Sequence, residues 1–154
     1  MRRTLLRSAV IVLAGVACGL LANVVSPRGI PFITPPKPTL DPKDTIPLAD
    51  AFQLWGSGAG FFLDARAPAD YAAGHIAGAF NLPAEAFNEH FPQVAGMLTP
   101  ATPITVYCDG VECELSHRCA GLLRQHGYTN VLVLVNGWTL WRGAGYPTSA
   151  GANP

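Results

Sequence analysis

Hydrophobic positions change their period several times along the chain. The longest uninterrupted run comes first: residues 8–25 (SAVIVLAGVACGLLANVV) carry no charge and one amide, Asn23. At about 1.5 Å rise per helical residue, this run covers most of a bilayer core of about 30 Å. From Pro47 onward the runs are shorter and alternate in kind. Leu48, Phe52 and Trp55 predict a helix stopped by Gly56-Ser57-Gly58, and the apolar run Gly60 to Asp64 predicts a buried strand. Pro68 to Gly74 reads as a short helix, Ala79 to Asn81 as a strand, and Pro83 opens a helix reaching about Val94. The β-branched run Ile104 to Cys108 is a strand, followed by a helix from Leu115 to His126 with Leu115, Cys119, Leu122 and Leu123 on its apolar stripe. Val131 to Val135 is continuous enough for a strand buried on both faces, and Gly137 to Gly143 supplies a last short helix. The alternation predicts an α/β fold, a single domain with a largely parallel central sheet flanked by helices, preceded by an N-terminal transmembrane helix.

Residues 26–47 hold seven of the chain's 14 prolines. Proline fixes φ and donates no ladder hydrogen bond, so this stretch is an extended spacer. The organisation that follows is a membrane anchor or signal peptide at 1–25, a Pro-rich linker at 26–44, a folded domain at 45–147 and a disordered tail at 148–154. No repeat with a period of 20–50 residues is present.

Charge sharpens the anchor reading. The chain has 10 basic and 10 acidic residues, so nothing in its net balance suggests a nucleic-acid partner, and none is expected. The balance is uneven, however: Arg2, Arg3, Arg7, Arg28, Lys37 and Lys43 sit in the first 44 residues against Asp41 and Asp44. Arginines ahead of the apolar run orient the N-terminus to the cytoplasm, which puts the domain on the periplasmic side of the inner membrane as a single-pass protein. A cleaved signal peptide followed by secretion is the alternative, and Cys18 raises a third, lipid modification, although Gly15-Val16-Ala17 lack the usual large aliphatic residue.

In parallel sheets chemistry collects beyond the carboxyl ends of the strands. Cys108 is placed there, and Asp109-Gly110-Val111-Glu112-Cys113-Glu114 loops from it into a helix. A strand, a tight turn and a helix N-terminus aim backbone N–H groups at one point, where a thiolate or its sulfur adduct is stabilised. A cysteine at a strand end also serves simply as a small buried hydrophobe.

Flanking motifs favour the nucleophile. Residues 62–83 (FLDARAPADYAAGHIAGAFNLP) resemble the signature of the rhodanese family, a D-x-R strand end followed by G-H-I-x-G-A-x-N-x-P. Val106-Tyr107-Cys108 and residues 136–147 (NGWTLWRGAGYP) resemble that family's catalytic strand and its G-W-x-x-W-x-x-x-G-Y-P ending. The resemblance covers about residues 45–147 in order and implies a sulfurtransferase, in which Cys108 takes a sulfane sulfur from a donor as a persulfide and hands it to a thiophilic acceptor. It implies loop support by Asp64 and Arg66, or a plain structural pair of the two, and a structural role for His75. No cofactor is implied. The four histidines do not join the cysteines at zinc-like spacing, so no metal is expected.

The loop departs from the family pattern. Asp109, Glu112 and Glu114 stand where the family commonly carries a basic residue, and the next cation is Arg118. Carboxylates disfavour a thiolate and repel thiosulfate, which favours an organic persulfide or a persulfide-carrying protein as donor. The related phosphatases need C-x5-R, and Glu114 occupies that arginine position, which argues against phosphoryl chemistry. Cys113 is a candidate resolving thiol, able to attack an adduct on Cys108 and close a disulfide, or else a residue that packs at the helix start. Cys119 is expected in the core. Two alternatives therefore stand beside the sulfurtransferase: a thiol–disulfide redox protein using Cys108 and Cys113, and a non-catalytic binding module. The expected partners are a small sulfur donor or persulfide carrier, the membrane through residues 8–25, and a membrane protein.

Overall fold

A computed structural model describes residues 2–26, 42–110 and 114–154. The chain divides into two units, Met1–Lys37 and Pro38–Pro154, each taken by itself below. In the first, α1 (Arg2–Val25) is a single helix, and its described apolar side chains stand open, with Ile11 71% and Leu13 69% exposed. Among the described residues no helix is long and apolar enough to cross a membrane. The side chains of Ala9, Val24 and Val25, part of the apolar run, are outside the described set. The spanning assignment of residues 8–25 therefore rests on the sequence alone. Most of the Pro-rich linker, residues 27–41, lies outside the described residues.

The second unit opens with a 3-10 turn at Pro42–Asp44, and Thr45 then bridges Val133 in parallel. The elements that follow are α2 (Leu48–Gly56), β1 (Phe61–Asp64), α3 (Pro68–Ala73), β2 (His75–Ile76), β3 (Phe80–Asn81), α4 (Phe87–Ala95), β4 (Ile104–Tyr107), α5 (Glu114–Gln125), β5 (Val131–Leu134), α6 (Gly137–Gly143) and β6 (Thr148–Ser149). Four strands form one sheet in the order β3-β1-β4-β5, every pair parallel. Registers run Phe61 opposite Ile104 and Ile104 opposite Val131. The expected α/β architecture with a largely parallel sheet and flanking helices is the observed one.

Side chains alternate across the sheet because successive strand residues point to opposite faces. Leu63, Val106 and Val133 face one core with Leu82, Phe87, Cys119 and Leu123. Phe62, Tyr107 and Leu134 face the other, with Ala51, Trp138 and Trp141 from α2 and α6. Gly137 lies so close to the sheet that a Cβ there would meet Tyr107 Cβ at 2.7 Å, which lets α6 start directly against β4.

Three local expectations change. The helix expected from Pro83 begins as a 3-10 turn at Ala84–Ala86 and becomes α-helical only at Phe87, because Ala86 has φ −118°. The tail expected to be disordered contains β6, which pairs antiparallel with β2, and Gly151 N–H donates to Ala72 O at 2.8 Å. On α5 the buried stripe is Ser116, Cys119, Ala120 and Leu123, with Leu115 and Leu122 only half-buried. That rotation turns Ser116 inward.

Candidate active site

Cys108 directly follows β4, 1% exposed, at the carboxyl end of a central strand. Ala65 N–H donates to Tyr107 O at 2.9 Å, and Trp138 N–H at the start of α6 donates to Cys108 O at 3.1 Å, so β1 and α6 clamp its backbone. Cys108 is disulfide-bonded, whereas Cys18 and Cys119 are free. Cys113, with Val111 and Glu112, lies outside the described residues.

The sulfur of Cys108 lies 3.1 Å from the hydroxyl of Ser116, which is fully buried in the first turns of α5. A disulfide sulfur has no proton, so Ser116 is the donor. The same hydroxyl would hydrogen-bond a thiolate or persulfide at that position, and bonds to charged acceptors are the stronger kind. Ser116 was not among the residues expected from sequence. Its signal is its place in the i, i+3, i+4, i+7 stripe of buried residues on α5.

Asp109 and Gly110 begin the loop, both exposed. Gly110 adopts φ +85°, and its N–H is shared between Asp109 Oδ1 at 3.0 Å and Asn136 Oδ1 at 2.9 Å. Asn136 is itself left-handed at φ 52°, which carries the chain from β5 into α6. The Thr139 hydroxyl donates a hydrogen bond to Asp109 Oδ1. Asn136 and Thr139 thus fasten the loop to α6, a contact across the fold that no local pattern announces. Glu114 opens α5 and is exposed.

Asp64 and Arg66 form a buried ion pair at the end of β1. Arg66 donates to the Asp64 carboxylate from its backbone N–H at 3.0 Å, from Nε at 2.9 and 3.1 Å, and from Nη2 at 2.5 Å. Nη2 also donates to Gly74 O at 2.7 Å, and the guanidinium lies 4.8 Å from the ring centre of Trp138. Burial works against the Arg66 charge, and the bonds and charge of Asp64 outweigh it, holding the guanidinium above its ordinary range. Burial, then the charge of Asp64, also drive the Tyr107 phenol far up. Arg66 thus braces Trp138 at the start of α6 and also feels the charge of Asp109 on the loop. His75 is fully buried; its ring stacks on Tyr71 and its Nδ1 bonds Tyr71 O at 2.9 Å.

A cavity of about 190 Å³ adjoins this region, with Ala65, Ala67 and Leu115 in its walls and Asp70 and Glu85 as its charged lining. Among the described residues no group of His, Cys, Asp and Glu could hold a metal ion. The arrangement can hold a sulfur nucleophile or a disulfide in a buried, hydrogen-bonded seat.

Comparison with known proteins is consistent with that geometry. The family model for the Rhodanese-like domain matches residues 49–144. An HTH-type transcriptional regulator of Mycobacterium tuberculosis is 31% identical over 72% of this chain and 47% of its own length. A tRNA uridine(34) hydroxylase of Pectobacterium carotovorum is 33% identical over 46% of this chain and 20% of its own length. The chain thus spans half or less of these curated relatives. Among solved structures, the rhodanese-like domain of the Alr3790 protein from Anabaena is 29% identical with a TM-score of 0.59, covering 71% of this chain and 80% of that one. A thiosulfate sulfurtransferase from Pseudomonas aeruginosa is 30% identical with a TM-score of 0.57, covering 68% of this chain and 19% of that one.

Proposed function

The chain belongs to the rhodanese-like domain family, and on that premise we propose that it is a sulfurtransferase working through a persulfide on Cys108. The observation that carries this reading is the seat of the sulfur: buried at the carboxyl end of β4, 3.1 Å from the buried Ser116 hydroxyl. In the loading step the Cys108 thiolate attacks the outer sulfur of a donor R–S–SH. The new S–S bond forms as the donor's S–S bond breaks, and the thiolate RS⁻ leaves. A thiophilic acceptor then takes the outer sulfur and returns Cys108 to the thiolate. No electrons are lost or gained overall, and Ser116 donates to whichever sulfur anion is present.

The disulfide on Cys108 supports a second reading, thiol–disulfide exchange. With Cys18 and Cys119 free, Cys113 is the partner we propose, five positions along the chain. In either reading a thiol reductant must open the bond before Cys108 can act as a nucleophile. A binding module without turnover remains the third alternative, and it makes no use of the Ser116 seat.

The run at residues 8–25 and the exposed apolar side chains of α1 support attachment to the inner membrane, with the domain outside the cytoplasm. A persistent disulfide fits that compartment. Release after signal cleavage is the alternative, and a membrane protein is a proposed partner on the same grounds.

The test is intact mass of the full-length chain in detergent. After reduction and removal of reductant, it is incubated separately with thiosulfate and an organic persulfide. A gain of one sulfur, reversed by reductant and absent in Cys108→Ser, is expected. A loss of two hydrogens with no sulfur gained from either donor would overturn sulfur transfer in favour of disulfide exchange.

A further inference from the structure

We infer that Asp109 is a specificity-determining residue of the Cys108 site, set in place by Thr139, and that it selects sulfur donors without net negative charge. As a statement about donors, this rests on the sulfur-transfer reading above. Asp109 is the residue next to Cys108, so the two Cα atoms are about 3.8 Å apart and the carboxylate lies within about one Debye length of the sulfur. Its Oδ1 accepts from Gly110 N–H at 3.0 Å and from the Thr139 hydroxyl, so the charge is fixed on the loop instead of swinging into solvent.

Arg66 feels the charge of Asp109 but is buried and already committed to Asp64. Arg142 lies 5.7 Å from the ring centre of Trp138. Arg118 faces a hollow it shares with Glu85 and Glu89. Glu114 is exposed at the start of α5 and adds a second negative charge to the described ends of the loop. An approaching dianion therefore meets the fixed charge of Asp109 beside the sulfur. An ammonium-bearing persulfide, whose cation balances its own sulfur anion, does not meet this repulsion.

At about 8 Å in a water-like dielectric, one fixed charge slows a monoanion about twofold and a dianion about sixfold. The experiment compares the reduced full-length chain with Asp109→Asn and Thr139→Val in two assays. The first is the ratio of iodoacetate to iodoacetamide alkylation rates at Cys108, resolved by peptide mass, which needs no sulfur transfer. The second is the ratio of sulfur loading from thiosulfate to loading from 2-aminoethyl persulfide, which is net neutral because its ammonium balances its sulfur anion. Asp109→Asn should raise the first ratio about twofold and the second about sixfold, and high salt should narrow both differences. Thr139→Val should move both ratios in the same direction by less. Ratios unchanged in Asp109→Asn would overturn the inference. A shifted alkylation ratio with neither donor loading Cys108 would keep the charge selection and overturn the sulfur-transfer reading.

Discussion

Replacing Arg66 by methionine removes the one cation that, among the described residues, is paired with the buried Asp64 carboxylate. The carboxylate then loses three side-chain bonds, at 2.9, 3.1 and 2.5 Å, while remaining fully shielded from water. Gly74 O loses its 2.7 Å donor as well, and Trp138 loses the guanidinium over its ring. Breaking a buried pair from one side costs about 3–5 kcal/mol, mostly the penalty of the stranded charge. A domain of roughly 110 residues unfolds with an entropy near 0.23 kcal/mol per kelvin, so the expected fall in midpoint is about 13–22 °C. Differential scanning calorimetry of the full-length chain measures it. The double variant Asp64→Leu/Arg66→Met removes both charges and should recover much of the loss, since an apolar pair of similar size is often neutral against a buried ion pair. A fall of less than about 4 °C in Arg66→Met, or a double variant worse than the single, would refute the view that Asp64 and Arg66 are a mutually dependent structural pair.

Two further outcomes follow from the site. In reduced protein, Ser116→Ala should slow alkylation of Cys108 at pH 7 by about three- to tenfold: losing a hydrogen bond to a thiolate costs about 1.5–3 kcal/mol, and higher intrinsic nucleophilicity returns about half of that in rate. An unchanged rate in a normally folded variant would remove Ser116 from the seat. Burial, then the charge of Asp64, push the Cys119 thiol up to about 12. The folded state therefore keeps a proton that the unfolded chain gives up near about 8.5, so its contribution to stability is full below that pH and declines as pH rises toward 12. Cys119→Ala should flatten the fall in unfolding free energy between pH 9 and 11, and iodoacetamide at pH 9 should spare Cys119 until urea is added.

The sequence made the order of elements legible because each strand and helix carries its own period. Ile104 to Tyr107 is β-branched and continuous, and burial on both faces of a parallel sheet asks for that. What it did not make legible depends on three-dimensional rotation or on long-range pairing. Ser116 is polar, so a stripe drawn from hydrophobic letters passes it by, yet a rotation of one position puts it against Cys108. Thr139 meets Asp109 from 30 positions away, and Asn136 meets Gly110 from 26. The two-residue strands at His75–Ile76 and Thr148–Ser149 are too short to show any alternation, and only their mutual pairing defines them. Asp64 and Arg66, two positions apart at a strand end, were visible as a pair, while their reach to Gly74 and Trp138 was not.

The all-parallel sheet also bears on how the protein is made. Phe61 cannot find Ile104 until about forty more residues have left the ribosome, and Ile104 in turn waits for Val131. Such non-local pairing is slow, because loop closure must precede any reward from contact. Trp138 and Thr139, which hold the backbone and loop around Cys108, emerge later still. During synthesis the cysteine is therefore a bare thiol on an unfinished chain, open to mispairing with Cys18 or Cys119. Passage through a reducing compartment before folding would protect it, and the order in which oxidation and sheet closure occur decides which sulfur it meets first.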